Sequence, residues 1–158
     1  MSTATAALHD QFRGAVQICR SPLLHYGAQH AFDSPIATIR CLRDDGLICD
    51  ASRQSGIGRV LVVDAGGVLD CAHVGGHLAA RAAKSGWAGI IVNGCVRDID
   101  ELTVLPLGIR ALGVWPPRAA RAGTGSAAIA VLFGEVTFEP EHWLRADRDG
   151  LVVMKEEP

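Results

Sequence analysis

Two short apolar runs, Val60 to Val63 and Gly89 to Val92, are rich in Val and Ile, as strands buried on both faces should be. Each leads into a glycine-containing turn that carries polar or charged residues. Between them, Gly75 to Gly86 has the composition of a helix. Leu78, Ala79, Ala82 and Ala83 give it a small-residue face suited to packing on a sheet, and Gly86 is a natural C-terminal stop. The pattern predicts a strand–helix–strand unit whose loops gather at one edge of a sheet, where α/β folds tend to place their sites.

The flanking pattern is read with the same rules. Leu8, Phe12, Ala15 and Val16 fall near helical spacing, which predicts an N-terminal helix over residues 3–19, capped by Thr3 or Thr5 and ended by Ser21-Pro22. Ile36 to Leu42 alternates as a strand, Arg43 to Gly46 is a turn, Leu47 to Ser52 is a short helix, and Asp64 to Val68 is a tight turn. Leu105 to Ile109 and Ala111 to Trp115 read as a turn and strand stopped by Pro116-Pro117. Arg118 to Ser126 reads as a polar, flexible loop. Ala128 to Phe133, Val136 to Phe138 and Leu151 to Met154 read as strands, with Trp143 to Ala146 leading into a turn at Asp147 to Gly150, before a charged, frayed tail over residues 155–158. At 158 residues the chain is expected to be one α/β domain with a substantial core.

Composition narrows the function. Apolar residues are 49% and aromatic residues 5%, so the core is aliphatic. Fifteen basic against 17 acidic residues give a formal charge of −2, with no basic stripe, which argues against nucleic acid as a direct partner. No apolar run is long enough for a membrane span, and Met1 to Ala7 lacks the features of a secretory signal, so a cytoplasmic location is expected. Five scattered cysteines without a CxxC suit reduced, mostly buried thiols, although Cys95 lies close enough to Arg97 to raise the question of a reactive thiol. His9, His25 and His30 do not share an i, i+4 helical face, and solvated or core-edge roles suit them better than a metal site.

Candidate chemistry collects around the second strand's end. Gly75-Gly76 opens the helix, where unpaired N–H groups and a positive partial charge would let an anion approach the backbone; a merely flexible helix start fits equally well. The loop from Asn93 to Glu101 places Arg97 beside Asp98. Such a pair is either a solvated ion pair or a functional one, and its position at a strand end near Gly75-Gly76 favours function. Arg118 and Arg121 with Gly123 and Gly125 match no phosphate-loop pattern.

From about Pro35 to Val153 the chain resembles the family that contains the regulator of ribonuclease E activity A and the 4-hydroxy-4-methyl-2-oxoglutarate aldolases. The resemblance rests on Gly58-Arg-Val-Leu-Val-Val-Asp64, Gly75-x-x-Leu78, Gly94-x-Val-Arg97-Asp98, Gly134-x-Val-Thr-Phe138 and Asp147-x-Asp-Gly150 taken together. It implies a swivelling β/β/α domain and a ring-shaped homotrimer with sites between subunits. It also implies a divalent metal, usually magnesium, that holds a 2-oxo acid. By that resemblance Arg97 takes the substrate carboxylate or oxo group, Asp98 the metal, and Gly75, Gly76, His77 and Leu78 line the substrate. The chemistry is consistent: a guanidinium offers paired donors to a carboxylate, one carboxylate plus waters is the sparse ligation magnesium favours, and a chelated oxo acid stabilises the pyruvate enolate common to aldol cleavage and oxaloacetate decarboxylation.

One position departs from the aldolase pattern. Aldolases of the family carry an acidic residue where Gly76 stands, and that acid is thought to orient the water that moves the proton; the regulatory members lack it. Its absence bears most on aldol cleavage and less on decarboxylation. His77 is a poor substitute, because one residue along a helix turns a side chain by about 100°. The expected function is a metal-dependent lyase on 2-oxo acids. Its rival is a protein that binds and inhibits ribonuclease E, for which near-neutral charge is suitable. A methyltransferase of menaquinone synthesis is rejected, because no glycine-rich cofactor fingerprint follows a first strand.

Overall fold

The computed structural model describes residues 3–158. Strand β3 (Phe32–Arg40) pairs in parallel with β4 (Val60–Asp64), β4 with β6 (Gly89–Val96), and β6 with β7 (Gly108–Val114). The other flank is antiparallel: β11 (Trp143–Ala146) joins β3, β12 (Leu151–Met154) joins β11, and β1 (Gln17–Ile18) joins β12. Three short strands complete the sheet: β2 (Leu24–His25) on β7, β5 (Ala72–Val74) on β6, and β8 (Ser126–Ala127) on β3. A separate hairpin pairs β9 (Val131–Phe133) with β10 (Val136–Phe138).

The period-2 geometry of the central strands builds two cores. Leu61, Val63, Ile90 and Val92 face one core with Ile48 of α2 (Gly46–Arg53) and with Leu78, Ala79 and Ala82 of α3 (Gly76–Lys84). Val60, Val62 and Ile91 face the other, filled by the β9–β10 hairpin, β11 and β12 through Val131, Phe138, Leu144 and Val153. The layers are therefore helix, sheet and sheet, the α/β arrangement expected of a swivelling β/β/α domain. Ala79 and Ala82 are fully buried, so α3 lies close on the sheet, and Gly86 at φ 90° turns the chain back into β6.

Several expectations are corrected. The N-terminal helix α1 spans only Thr5–Gln11; Gly14 at φ 85° turns the chain, and Gln17 and Ile18 pair with β12. Thr5 is not a cap: its hydroxyl donates to Asp147 at 2.7 Å and its N–H at 2.8 Å, which fastens the helix to the β11–β12 turn. The strand expected from Ile36 starts at Phe32 and ends at Arg40. The strand expected from Ala128 is broken, because Ala128 sits at φ 57° between β8 and β9. The loop expected from Asn93 is strand as far as Val96, followed by one helical turn, α4 (Ile99–Leu102).

The loop over residues 118–126 is pinned. The buried Asp44 carboxylate accepts N–H groups of Gly46, Ala122, Gly123 and Thr124 and the Thr124 hydroxyl, chiefly through Gly46 held well below the ordinary carboxylate range. Arg121 clasps Asp45 through two hydrogen bonds of 2.7 and 2.9 Å, which raises the guanidinium pKa and leaves that arginine committed.

Candidate active site

The ends of β5 and β6 and the starts of α3 and α4 converge. The Arg97 N–H donates to the Val74 carbonyl at 3.0 Å, which joins the two strand ends just before α3 begins. Asp98 follows in the left-handed region at φ 60°, ψ 48°, a sparsely populated conformation for a non-glycine residue of the kind found at functional sites. That conformation turns the Asp98 carboxylate back onto α3, where Oδ2 accepts the Gly76 N–H at 2.8 Å.

Arg97 Nε lies 3.7 Å from Asp98 Oδ2, and Arg97 Nη1 donates to the Pro116 carbonyl at 3.2 Å. Both side chains are 35% exposed, so solvent screens the pair and its contribution to stability is small. Among the described residues Arg97 Nη2, Arg97 Nε and Asp98 Oδ1 make no hydrogen bond; Nε is buried against Asp98, which leaves Nη2 and Oδ1 as the uncommitted donor and acceptor groups away from that contact.

The two glycines make room for these groups. A Cβ on Gly75 would stand 2.9 Å from Asp98 Oδ2 and 3.2 Å from Arg97 Nε, closer than ordinary contact. A Cβ on Gly76 would collide with the Glu101 carboxylate, with Glu101 Cδ 2.8 Å away. Of the remaining expected site residues, His77 is exposed, and Leu78 is 3% exposed with its side chain in the helix-side core. The structure therefore brings together Gly75, Gly76, Arg97 and Asp98, while Leu78 holds α3 in place from behind. Glu101 was not among the expected site residues. Its only sequence signal was an acid three positions after Asp98.

The cysteines and histidines stand apart from this constellation. All five cysteines are free. Cys95 is 2% exposed, and burial pushes its thiol pKa up, which argues against a reactive thiolate; Cys41 is pushed up to about 12, mainly by burial. His25 and His30 stack with ring centroids 4.2 Å apart, and burial lowers the His25 pKa.

Among the described residues no group of three or more His, Cys, Asp or Glu side chains could cage a metal. The Asp98 carboxylate, partly exposed and with Oδ1 uncommitted, fits a hard cation that takes most of its ligands from water and substrate. It does not fit zinc or another ion that needs several side-chain donors.

A family model described as RraA-like, Aldolase/RraA, matches residues 5–153. Relatives from Alkalilimnicola ehrlichii and Laribacter hongkongensis are provisionally named 4-hydroxy-4-methyl-2-oxoglutarate aldolase. The first is 39% identical, covering 98% of this chain and 96% of the relative, and the second 42%, covering 96% of each. Among solved structures, a Thermus thermophilis protein described as the RNA-processing inhibitor RraA is 35% identical with a TM-score of 0.96, covering 100% of this chain and 96% of that one. A Geobacillus kaustophilus protein described as an S-adenosylmethionine: 2-dimethylmenaquinone methyltransferase is 37% identical, also with a TM-score of 0.96, covering 98% of this chain and 96% of that one.

Proposed function

The chain belongs to the RraA-like, Aldolase/RraA family, and from that premise we propose that it is a magnesium-dependent lyase that releases pyruvate from 2-oxo acids. The substrates are 4-hydroxy-4-methyl-2-oxoglutarate, after the relatives' names, and oxaloacetate, which passes through the same enolate. The observation that carries the proposal is the placement of Arg97 and Asp98 side by side at the Gly75-Gly76 end of α3, each with an uncommitted polar group.

In this reading Arg97 binds the substrate carboxylate through Nη2, while its Nη1 bond to Pro116 fixes the plane of the guanidinium. Asp98 holds the magnesium ion, and the Gly76 N–H fixes the rotamer of its carboxylate. Gly75 leaves the space in which substrate meets both side chains. The bound cation supplies Lewis acidity at the 2-oxo group, which accepts the electron pair of the breaking carbon–carbon bond.

Assembly as a homotrimer, with sites where subunits meet, is part of the proposal. The exposed apolar side chains Val114 and Trp115, next to the Pro116 that holds Arg97, support it. Light scattering of the purified protein tests the assembly.

Arg97→Ala is expected to raise KM for both substrates by about 10- to 100-fold, the worth of a charge-assisted hydrogen bond, in a pyruvate-release assay. An unchanged KM would remove Arg97 from the substrate site. A second reading, inhibition of ribonuclease E, is favoured by the Thermus thermophilis match and by the glycine at position 76. Capture of ribonuclease E by the purified chain, with inhibition that survives Arg97→Ala and Asp98→Ala, would establish it.

A further inference from the structure

His73 lies in the middle of β5, wholly buried, and among the described residues neither ring nitrogen has a hydrogen-bond partner. A buried polar ring without partners weakens the fold, so packing alone gives no reason for a histidine at this position. Its surroundings are charged on one side. Burial lowers its pKa; Asp45 and then Asp44, on the turn before α2, act in the opposite direction, and Arg43 on the same turn adds to the lowering. Arg43 is itself paired with Asp70 at 2.6 Å, and the Asp45 carboxylate, 2% exposed, is taken up by Arg121 through both oxygens. On the other side His73 Nδ1 faces Gly94 of β6, together with Ala65 and the Val68 carbonyl, none of which titrates. The thiols of Cys71 and Cys95 are pushed up by burial and stay neutral.

Residues 116–120 form a ribbon between this turn and β5. On one edge the Asp45 N–H donates to the Ala120 carbonyl at 2.7 Å and the Ala120 N–H to the Arg43 carbonyl at 3.0 Å. On the other edge the Ala119 N–H donates to the Ala72 carbonyl at 2.9 Å and the Ala72 N–H to the Pro117 carbonyl at 2.8 Å. Next along, Pro116 accepts Arg97 Nη1. The Asp45–Arg121 clasp thus closes one end of the ribbon, and the other end holds the Arg97 guanidinium.

We propose that His73 is a positioning residue for Arg97, and that its protonation loosens the ribbon that holds the guanidinium. The consequence for turnover rests on the lyase reading above. Neutral His73 leaves Asp45 to Arg121, and the ribbon is clamped. The imidazolium formed by uptake of a proton from solvent competes with Arg121 for the Asp45 carboxylate, the clasp opens, and Pro116 no longer fixes the plane of the guanidinium. Because burial keeps the folded pKa below the ordinary 6.5, the clamped state fills the range above that value and loosening sets in as pH falls below it.

The test follows the His73 ring, the backbone N–H signals of Ala72, Ala119 and Ala120 and the Arg97 Nε–H by NMR across pH, with KM and kcat for pyruvate release measured over the same range. The proteins are the full-length chain, His73→Leu and Asp45→Asn. In the wild type all these signals are expected to move with one midpoint below pH 6.5, and KM to rise about three- to tenfold across it while kcat changes by less than about twofold. His73→Leu, which cannot titrate, is expected to show neither step. Asp45→Asn leaves Arg121 no charge to hold, and is expected to begin at neutral pH with the raised KM and to show no further step. Ribbon and Arg97 signals that do not follow the ring, or a KM rise that persists in His73→Leu or Asp45→Asn, would overturn the proposal and leave the lyase reading in place. A wild-type protein silent on 4-hydroxy-4-methyl-2-oxoglutarate and on oxaloacetate would overturn the lyase reading. The NMR titration would still decide this proposal: a shared midpoint supports it, and independent movement overturns it.

Discussion

Gly75→Ala tests the site without removing any functional group. Gly75 has φ −121° and ψ −174°, extended backbone that alanine adopts freely, so the substitution adds one methyl and no strain. That methyl would lie 2.9 Å from Asp98 Oδ2 and 3.2 Å from Arg97 Nε, where ordinary contact begins at 3.4 Å. Asp98 must therefore retreat by about half an ångström, and Arg97 by less. Since a misplacement of about 1 Å at a reacting group can cost 10²-fold, half that shift corresponds to about tenfold in kcat/KM, or about 1.4 kcal/mol of transition-state stabilisation. Both side chains are partly exposed and each is held by a single hydrogen bond, so a shift of this size should cost the fold no more than about 1 kcal/mol. Pyruvate release coupled to lactate dehydrogenase measures the first effect and thermal unfolding the second. Gly150→Ala is the control, because a Cβ there meets nothing within 4 Å. Undiminished kcat/KM in Gly75→Ala would refute the placement of substrate and metal against these two side chains.

Further predictions concern the scaffold. Gly108→Ala would drive a methyl into the Phe32 ring, with Cγ at 2.7 Å, and overpacking of this kind should cost about 1–3 kcal/mol and lower Tm by several degrees in a thermal melt. His73 is fully buried, neither ring nitrogen has a hydrogen-bond partner among the described residues, and burial holds its pKa below the ordinary 6.5. Its folded pKa is thus below its unfolded one, so its contribution to stability is complete above about pH 6.5 and is lost as pH falls through the folded value, with a slope of at most about 1.4 kcal/mol per pH unit. His73→Leu should flatten that acid limb in urea titrations; an unchanged slope would show that other groups cause it. Asp44→Ala should release the loop over residues 118–126 and speed tryptic cleavage after Arg118 and Arg121, whereas an unchanged digestion rate would contradict the pinning.

The central strands were legible because their apolar runs are buried on both faces, and burial leaves little choice of residue. The end of β6 was harder to read, because Asn93 looks like a loop residue. Its Nδ2 donates to Asp64 Oδ1 at 3.0 Å on the neighbouring strand, and that tertiary bond lets a polar residue continue the sheet. The loop over residues 118–126 looked flexible for the same reason, since its anchor, Asp44, is far away in sequence. The helix α4 is a single turn, too short for periodicity to register. At the site, Arg97, Asp98 and the glycine pair were visible because each lies at an element boundary. Glu101 was not, since its relation to Gly76 exists only once α3 and α4 meet.

The most direct test of the account is pyruvate release from 4-hydroxy-4-methyl-2-oxoglutarate by the wild-type protein and Asp98→Ala, each with magnesium and with a chelator. The account predicts turnover that requires magnesium, disappears with chelator, and falls to background in Asp98→Ala. Turnover that is indifferent to the chelator, or that persists in Asp98→Ala, would contradict it.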